Sequence, residues 1–305
     1  MQRYILKRLV QSLVCLIAVT IIVFALTHLS GDPAVLMAPP DATQEDIQEM
    51  REIMGLAEPI YVQYWRFISD ILHGHLGTSF KWDKPCLNVW FDRFPNTLLL
   101  AGASMAFTLI IGLPVGIMSA VKVGSWFDNF GKVFALMGQS LPVFFVGLML
   151  MLIFSVTLGW FPTSGMGGLR HLLMPAFTLG WYFTAAICRL SRSAMLDVLD
   201  RDFIKMARIK GVSKYGVILK HAFKNALIPI LTLGTLNFVF MLNGTVITET
   251  VFNWPGVGRM VVEAIFSRDF PLVQSTVLIG SFLIIFANLF VDILYGYIDP
   301  RIRYQ

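Results

Sequence analysis

Two histidines, His73 and His75, flank Gly74 and are the first pair of side chains in the sequence whose types suit a metal ion. In an extended segment both would lie on one face of the chain. A metal site needs three or four converging ligands, and no cysteine or third histidine lies nearby. We therefore interpret both histidines as solvent-exposed loop residues and predict no metal site.

The sequence contains no motif typical of a hydrolytic or nucleophilic enzyme. Neither H-E-x-x-H nor G-x-S-x-G occurs, and the 5 histidines are scattered. The 3 cysteines, Cys15, Cys86 and Cys188, show neither zinc-ligand spacing nor a disulfide framework. The 15 methionines are more typical of packing than of metal conduction. We predict no catalytic residue in the chain.

Uncharged polar residues interrupt strongly apolar runs at Gln139, Ser140, Asn237 and Asn243. Polar side chains within membrane spans are costly and often functional, so these are candidates for a pore or gate. Asn237 and Asn243 are close enough to one helix face to border a common aqueous path. Hydrogen bonding between helices explains them equally well.

The composition is that of an integral membrane protein. Mean hydropathy is +0.69, and only 14% of the residues are charged, whereas soluble domains average about a quarter. Apolar runs long enough to cross a hydrocarbon core of about 30 Å occur at about 9–27, 98–121, 133–158, 172–190, 229–250 and 276–297. We predict an all-α membrane protein with six transmembrane helices.

Lysine and arginine placement predicts the orientation, because these residues favour the cytoplasmic side. With the N-terminus inside, 16 of the 24 lie in cytoplasmic segments. The prediction is an N-in, C-in protein with an N-terminal helix in 1–30, a large extracytoplasmic insertion in 31–97, and five helices in 98–305. The insertion contains a predicted helix at 42–56 with Thr43 as its cap. A cytoplasmic loop is expected at 191–228.

That loop contains a charge-rich stretch, 201–229. At helical spacing it has an apolar ridge of Phe203, Met206 and Ala207 and a basic flank. Gly211 is expected to end the helix in a left-handed conformation. Ser213 is expected to cap a second helix through Ala226, before Pro229 opens the next apolar run.

Two interpretations of this hairpin stay open on physical grounds. A basic helix beside the bilayer can hold anionic lipid, or the hairpin can dock a cytoplasmic partner. The helix–glycine–helix form favours docking, because a lipid anchor needs no hairpin. Nucleic-acid binding is disfavoured, because no aromatic stacking platform accompanies the basic residues.

The segment 243–274 is the second informative stretch. In its turn, NWPGVGR, Pro255 fixes φ, and Gly256 and Gly258 permit positive φ. A rigid turn would present Trp254 and Arg259 at the outer surface, where such residues are enriched in binding sites. The alternative is that Trp254 anchors the span in the headgroup layer.

These strings resemble a known family. ARIKGVSKYGVILKHAFKNALIPIL is similar to the EAA-type loop of bacterial binding-protein-dependent ABC-importer permeases, specifically the peptide/nickel/glutathione/opine branch. Of the family's Glu-Ala-Ala and glycine, only Ala207 and Gly211 match strictly. The remaining matches are Leu76, Gly77, Ser79, Pro85, Pro95, Thr97, residues 249–252, 254–256, Gly258, Arg259, 268–271, Asp299, Pro300 and Arg301.

The resemblance implies a type I ABC importer permease-like fold in the bacterial inner membrane, with 98–305 as the permease core. Implied partners are a second homologous permease, two cytoplasmic ATPases that carry ATP and Mg, and an extracytoplasmic solute-binding protein. No cofactor is expected in this chain. The implied ATPase-coupling residues are Phe203, Lys205, Met206, Ala207, Arg208, Lys210, Gly211 and Ser213. Trp254 and Arg259 are the implied outer-face docking candidates.

The implied substrate is a short peptide, such as a dipeptide, an oligopeptide or glutathione. Nickel, metallophore and opine uptake remain alternatives, because those systems share the same motifs. An ion-coupled secondary transporter is a further alternative. That class places ionisable residues near the midplane, whereas Arg189, Glu249 and Asp292 lie toward span ends here.

Overall fold

The structure is a computed structural model that describes residues 2–29, 34–35, 42–53 and 55–298, with side chains for 5–26, 34–35, 42–53, 55–242 and 245–293. The pore candidate Asn243 and the terminal family match at Asp299, Pro300 and Arg301 lie outside the described side chains.

The described chain is almost wholly helical. Its elements are α1 Gln2–Leu29, α2 Gln44–Ile53, α3 Ile60–Leu72, β1 Thr78–Ser79, β2 Lys84–Pro85, α4 Cys86–Val121, α5 Trp126–Ser140, α6 Val143–Leu150 with a π-helical continuation Met151–Thr157, α7 Leu169–Leu199, α8 Asp202–Ile209, a π-helix Gly216–Phe223 that leads into α9 Lys224–Gly244, α10 Val246–Val251, α11 Val257–Phe266 and α12 Phe270–Ile298. The two short strands pair antiparallel, with Thr78 opposite Pro85.

Within these residues, five helical segments are long and apolar enough to cross a membrane: Ile5–Leu26, Cys86–Val121, Leu169–Leu199, Gly216–Leu242 and Phe270–Ile293. The pair Trp126–Ser140 and Val143–Thr157 makes a sixth span if it is counted as one broken crossing. The predicted all-α membrane fold is confirmed, and the broken pair accounts for the run predicted at 133–158.

The two helices of this pair are bent by 104° relative to each other. The break lies at Leu141, whose ψ of 129° is extended, directly before Pro142. Proline disfavours the helical conformation of the residue before it and has no N–H to donate. Pro95 and Pro114 lie inside α4 without ending it. Helix α4 begins at Cys86, well before the apolar run that starts at 98.

The chain forms two compact units, Met1–Asp92 with Val261–Leu289 and Arg93–Met260 with Phe290–Gln305. In the first unit, α1 contacts α3 where the Thr20 and Tyr64 hydroxyl groups lie 3.0 Å apart. The Phe24 ring packs edge-on against Tyr64 with centroids 5.3 Å apart. A polar and an aromatic contact therefore join the first span to α3, a helix of the inserted segment 31–97.

Helix α7 is the centre of the second unit, where small residues allow its neighbours to come close. A Cβ on Gly116 of α4 would lie 2.5 Å from the Cys188 carbonyl oxygen. On Gly138 of α5 it would lie 2.5 Å from the Ala185 Cβ. Small residues at helix contacts are how membrane helices gain packing without a hydrophobic driving force.

Thr43 caps α2, as the sequence predicts. The Thr43 hydroxyl accepts a hydrogen bond from Asp46 N at 3.2 Å, and Thr43 N donates to Asp46 Oδ2 at 2.8 Å. This reciprocal arrangement satisfies backbone donors at the helix start. The hydrogen bonds from Thr43 also lower the pKa of the Asp46 carboxyl.

Candidate functional site

Helix α8 ends in a Schellman motif at Gly211. Gly211 N donates to the Arg208 carbonyl at 3.0 Å, and Val212 N donates to the Ala207 carbonyl at 3.2 Å. These are the two bonds of that helix end. Gly211 has φ of +77°, so the predicted left-handed conformation is confirmed.

Ser213 begins the next helix, also as predicted. Its Oγ accepts a hydrogen bond from Gly216 N at 3.2 Å. The expected end of this helix near Ala226 is wrong, because the helix runs without a break from 214 to 244 and has Pro229 inside it. The hairpin therefore consists of one short helix and the lower end of a membrane span.

The two faces of α8 differ in exposure. Ile204 and Ala207 are buried in a cluster with Met195, Val217 and Ala222. The predicted apolar ridge is thus divided, because Ala207 faces the core while Phe203 and Met206 are exposed. Sequence reasoning missed Ile204, although its spacing of three residues from Ala207 was the available signal.

The outward face of α8 and its turn carries large apolar side chains. Phe203, Met206, Ile209 and Tyr215 are all exposed, Ile209 and Tyr215 by 80% each. The nearby cations Lys205, Arg208, Lys210 and Lys214 are exposed as well. Lys205 pairs with Asp202 at 3.2 Å. The loop therefore presents an apolar patch with a basic surround.

On the other long motif, Glu249 is fully buried and hydrogen-bonded. The Thr97 hydroxyl donates to its Oε1 at 2.7 Å, and Arg259 N donates to its Oε2 at 3.0 Å. The Thr97 Oγ1 in turn accepts from Val257 N at 2.9 Å. A buried carboxylate is tolerated when its oxygens are paired in this way. We call these residues the Glu249 clasp.

Trp254 lies inside the second unit, where it is only 1% exposed. Its indole N–H donates to the Asn96 carbonyl at 2.9 Å, and it packs in a cluster with Leu100 and Met241. The prediction that Trp254 is presented at the surface is therefore wrong, and so is the alternative of a headgroup anchor. Its indole finds a backbone acceptor and an apolar core, which together satisfy the whole side chain.

The turn at 253–259 also forms differently from the prediction. Its positive φ, 52°, belongs to Asn253, and neither Gly256 nor Gly258 is among the positive-φ residues. Glycine is required at both positions because a side chain would have no room there. A Cβ on Gly256 would overlap the Glu249 carboxylate, and one on Gly258 would lie 2.6 Å from the Val246 Cα.

In the first unit, Asp269 makes a corresponding set of bonds, which we call the Asp269 clasp. Asp269 is fully buried, and its carboxylate accepts from the Ser79 hydroxyl at 2.5 Å and from Lys81 N at 3.2 Å. It also accepts from Leu272 N at 3.3 Å, at the start of α12. The Ser275 hydroxyl donates to the Leu76 carbonyl at 2.6 Å.

In each clasp, a hydroxyl residue from the first string of family matches, between 76 and 97, binds a carboxylate from the second string, between 249 and 271. Ser79 meets Asp269 across 190 residues, and Thr97 meets Glu249 across 152. Sequence reasoning identified both strings but missed their pairing. The short hydroxyl residues Ser79 and Thr97 were the signal, because each can donate to a carboxylate.

No hydrogen bond among the described residues joins the pore candidates Gln139, Ser140 and Asn237 to one another. Gln139 is half-buried, and Ser140 is exposed with its hydroxyl donating to the Leu136 carbonyl at 2.9 Å. Asn237 is only 6% exposed, and its amide nitrogen has no hydrogen-bond partner among the described residues.

The histidine pair stays apart from any ligand cluster. His73 and His75 are exposed, and the His73 Nδ1 lies 2.7 Å from the Ser69 carbonyl oxygen. Across the described residues, no group of three or more His, Cys, Asp or Glu side chains is arranged to hold a metal ion.

Comparison with known sequences identifies the family. Residues 112–304 match the family described as binding-protein-dependent transport system inner membrane component, and residues 1–101 match the N-terminal region of such membrane components. The chain is 42% identical to the glutathione transport system permease protein GsiC of Salmonella paratyphi A, with both chains covered completely. It is 40% identical to GsiC of Escherichia coli K12, again over both complete chains.

Among solved structures, the fold is similar to inward-facing conformations of the MetNI methionine ABC transporter. One crystal form gives a TM-score of 0.59 at 16% identity over 70% of this chain and 98% of that one. A native form gives 0.54 at 19% identity over 68% and 96%. The chain is a multi-pass inner membrane protein and belongs to the family of inner membrane components of binding-protein-dependent transport systems.

Proposed function

We propose that this chain is the permease subunit of an ATP-driven importer for short peptides of the dipeptide, oligopeptide or glutathione type. The observation that carries the proposal is the 42% identity to a glutathione permease over the full length of both chains. Substrate would arrive from an extracytoplasmic solute-binding protein. Uptake of nickel or metallophores and of opines are the alternatives within the same architecture.

Helix α8 is the proposed docking element for a cytoplasmic ATPase. Ile204 and Ala207 fix it to the core, while Phe203, Met206 and Ile209 remain exposed on it. Exposed apolar patches with polar rims mark protein interfaces. The basic rim favours an acidic groove on the partner. ATP and Mg would bind to the ATPases, and this chain would supply no catalytic residue.

A second, homologous permease would complete the translocation path. We propose that Gln139 and Ser140, which are half-buried and exposed, border this path. Asn237 lies buried within this chain, so it is not placed on the surface that meets the second permease. Asn243 belongs to the same proposal.

On the outer side, Arg259 keeps its proposed role in docking the binding protein. Its Nη1 donates to the Asn253 carbonyl at 2.9 Å, so the guanidinium is held against the turn. The Glu249 clasp binds the Arg259 backbone from the other side. The predicted extracytoplasmic region 31–97 would provide further contact area.

Uptake by the reconstituted importer tests the proposal. The permease pair, its ATPases and the cognate binding protein are placed in vesicles, and radiolabelled glutathione, a dipeptide, a nickel chelate and an opine are compared. We expect ATP-dependent and binding-protein-dependent accumulation of glutathione or the dipeptide. Selective uptake of the nickel chelate or the opine would move the substrate class to that alternative. Uptake driven by an ion gradient without ATP would exclude the importer mechanism.

A further inference from the structure

Helix α3 carries an apolar stripe that the described part of the chain leaves uncovered. Tyr61, Trp65, Ile68 and Leu72 follow one another at helical spacing, so their side chains share one face. Ile68 is half-buried, and the other three are exposed, Leu72 by 79%. Contiguous exposed apolar side chains of this size mark a surface that meets something other than water.

Two further faces of α3 have different surroundings. Tyr64 and Phe67 face α1, where their ring centroids lie 5.3 and 5.7 Å from that of Phe24. Arg66 and Asp70 lie on the side of the helix opposite the stripe and are exposed. The helix is therefore apolar on one side, polar on the other, and attached to α1 between the two.

The contact with α1 sets the depth of α3 in the membrane. The span Ile5–Leu26 has 22 residues, which is about 33 Å of helix and just fills a hydrocarbon core of about 30 Å. The Tyr64 hydroxyl lies 3.0 Å from that of Thr20, which is about 9 Å inside the Leu26 end of the span at 1.5 Å per residue. Tyr64 therefore reaches into the apolar layer of the bilayer rather than into the water beyond it.

The surface of α1 beside this contact is itself apolar and uncovered. Of the described side chains of α1, only Thr20 and Val23 are buried, and Ile21, Ile22 and Leu26 are exposed. A span that exposes such residues meets hydrocarbon or another membrane protein. A soluble partner that approaches from the water cannot reach this depth.

We propose that α3 lies in the outer leaflet, at the boundary between headgroups and acyl chains, with its stripe against lipid and Arg66 and Asp70 toward water. Lysine and arginine placement puts the Leu26 end of α1 on the outer side. Tryptophan and tyrosine are enriched at this boundary, and amphipathic helices with an aromatic and aliphatic face bind there. One helix of the predicted extracytoplasmic region 31–97 is then embedded in the membrane, and its stripe is withdrawn from the surface that a solute-binding protein can touch.

Spin-label accessibility in the reconstituted importer tests this depth. A nitroxide is attached to Trp65→Cys or Leu72→Cys on the stripe, and to Arg66→Cys or Asp70→Cys as matched controls on the polar face. All four positions are exposed in the chain, so the label leaves the core intact. A Cys15→Ser background removes the exposed native cysteine. Collisions with oxygen, which concentrates in the bilayer, and with a water-soluble chromium complex are measured in vesicles of phosphatidylethanolamine and phosphatidylglycerol.

We expect the ratio of oxygen to chromium collision rates to be severalfold higher on the stripe than on the polar face. Equal ratios on the two faces, with the stripe open to the chromium complex, would place the stripe in water and overturn the proposal. Loss of that access on addition of the solute-binding protein would then assign the stripe to that protein. Low access of both reagents to the stripe would assign it to a protein contact, such as the second permease, and would overturn the proposal as well. The measurement needs neither substrate nor ATP, so its failure leaves the proposed transport function untouched.

Discussion

Arg192 binds the buried carboxylate of Asp128 through two hydrogen bonds, from Nε to Oδ1 at 2.7 Å and from Nη2 to Oδ2 at 3.1 Å. Asp128 lies in the first turn of α5, and Arg192 lies on α7. Gly124 N also donates to the carboxylate at 3.0 Å, and Lys132 pairs with it at 2.9 Å. One carboxylate therefore fixes α5, α7 and the turn between α4 and α5.

Arg192→Met should destabilise the protein by about 3 kcal/mol, because it leaves a buried charge without its main partner. The matched control is Lys132→Met, which removes the other cation from the same carboxylate. Lys132 is 50% exposed, whereas Arg192 is 24% exposed, so the control should cost less than about 1 kcal/mol. The stability of both variants is measured by unfolding of the detergent-solubilised protein. Equal losses of stability in the two variants would contradict the assignment of Arg192 as the main partner of Asp128.

Gly211→Val should weaken ATPase association or uncouple ATP hydrolysis from transport, with membrane insertion intact. A Cβ at Gly211 would meet no atom within 4 Å, and φ is +77°. The cost is therefore conformational, about 1–2 kcal/mol for a residue with a side chain. Gly211→Asn is the control, because asparagine tolerates this conformation. Normal coupling in the valine variant would exclude the hairpin as the coupling element.

Thr97→Val should cost about 1–3 kcal/mol, because the Glu249 carboxylate and Val257 N both lose a partner in the buried Glu249 clasp. Thr97→Ser keeps the hydroxyl and should remain close to the unmodified protein. Thermal unfolding compares the two variants. We also expect a loss of binding-protein-stimulated ATPase activity in Thr97→Val alone. Identical behaviour of the valine and serine variants would show that the hydroxyl contributes nothing.

Alanine at Trp254 and at Arg259 should have different effects. Trp254→Ala removes a fully buried aromatic side chain and should cost about 3–5 kcal/mol of stability. Arg259→Ala should leave stability within about 1 kcal/mol and lower the stimulation of ATP hydrolysis by the binding protein. Parallel unfolding and ATPase assays separate the effects. Full stimulation in Arg259→Ala would remove Arg259 from the docking proposal.

The orientation is tested by cysteine labelling. Ser213→Cys should react with an impermeant maleimide only from the cytoplasmic side, and Asp46→Cys only from outside. Both positions are exposed in the structure. Of the native cysteines, Cys86 and Cys188 are buried and Cys15 is exposed, so a Cys15→Ser background is the control. Reversed labelling would invalidate the coupling proposal.

Local features were predictable from the sequence because neighbouring residues determine them. Thr43 and Ser213 cap helices through bonds within three residues, and Gly211 ends α8 through its own backbone freedom. The six apolar runs likewise predicted the membrane fold. The proline at the bend, Pro142, lies inside the run predicted at 133–158 as one continuous span.

Long-range partners were not predictable in the same way. Nothing near Trp254 in the sequence reveals that its indole meets the Asn96 carbonyl, 158 residues away. The pairing of Asp128 with Arg192 spans 64 residues. Burial at such positions is decided by which helices pack together, and a single sequence leaves that choice open.

The unbroken helix from 214 to 244 has a mechanical consequence. At 1.5 Å per residue it is about 45 Å long, and it continues through the π-helical stretch Gly216–Phe223 and past Pro229 without ending. A tilt of about 10° at its lower end would move its upper end by roughly 8 Å if the helix pivots as a rod. A displacement of the hairpin would then reach the far end of the span through one continuous helix rather than through a relay of side chains.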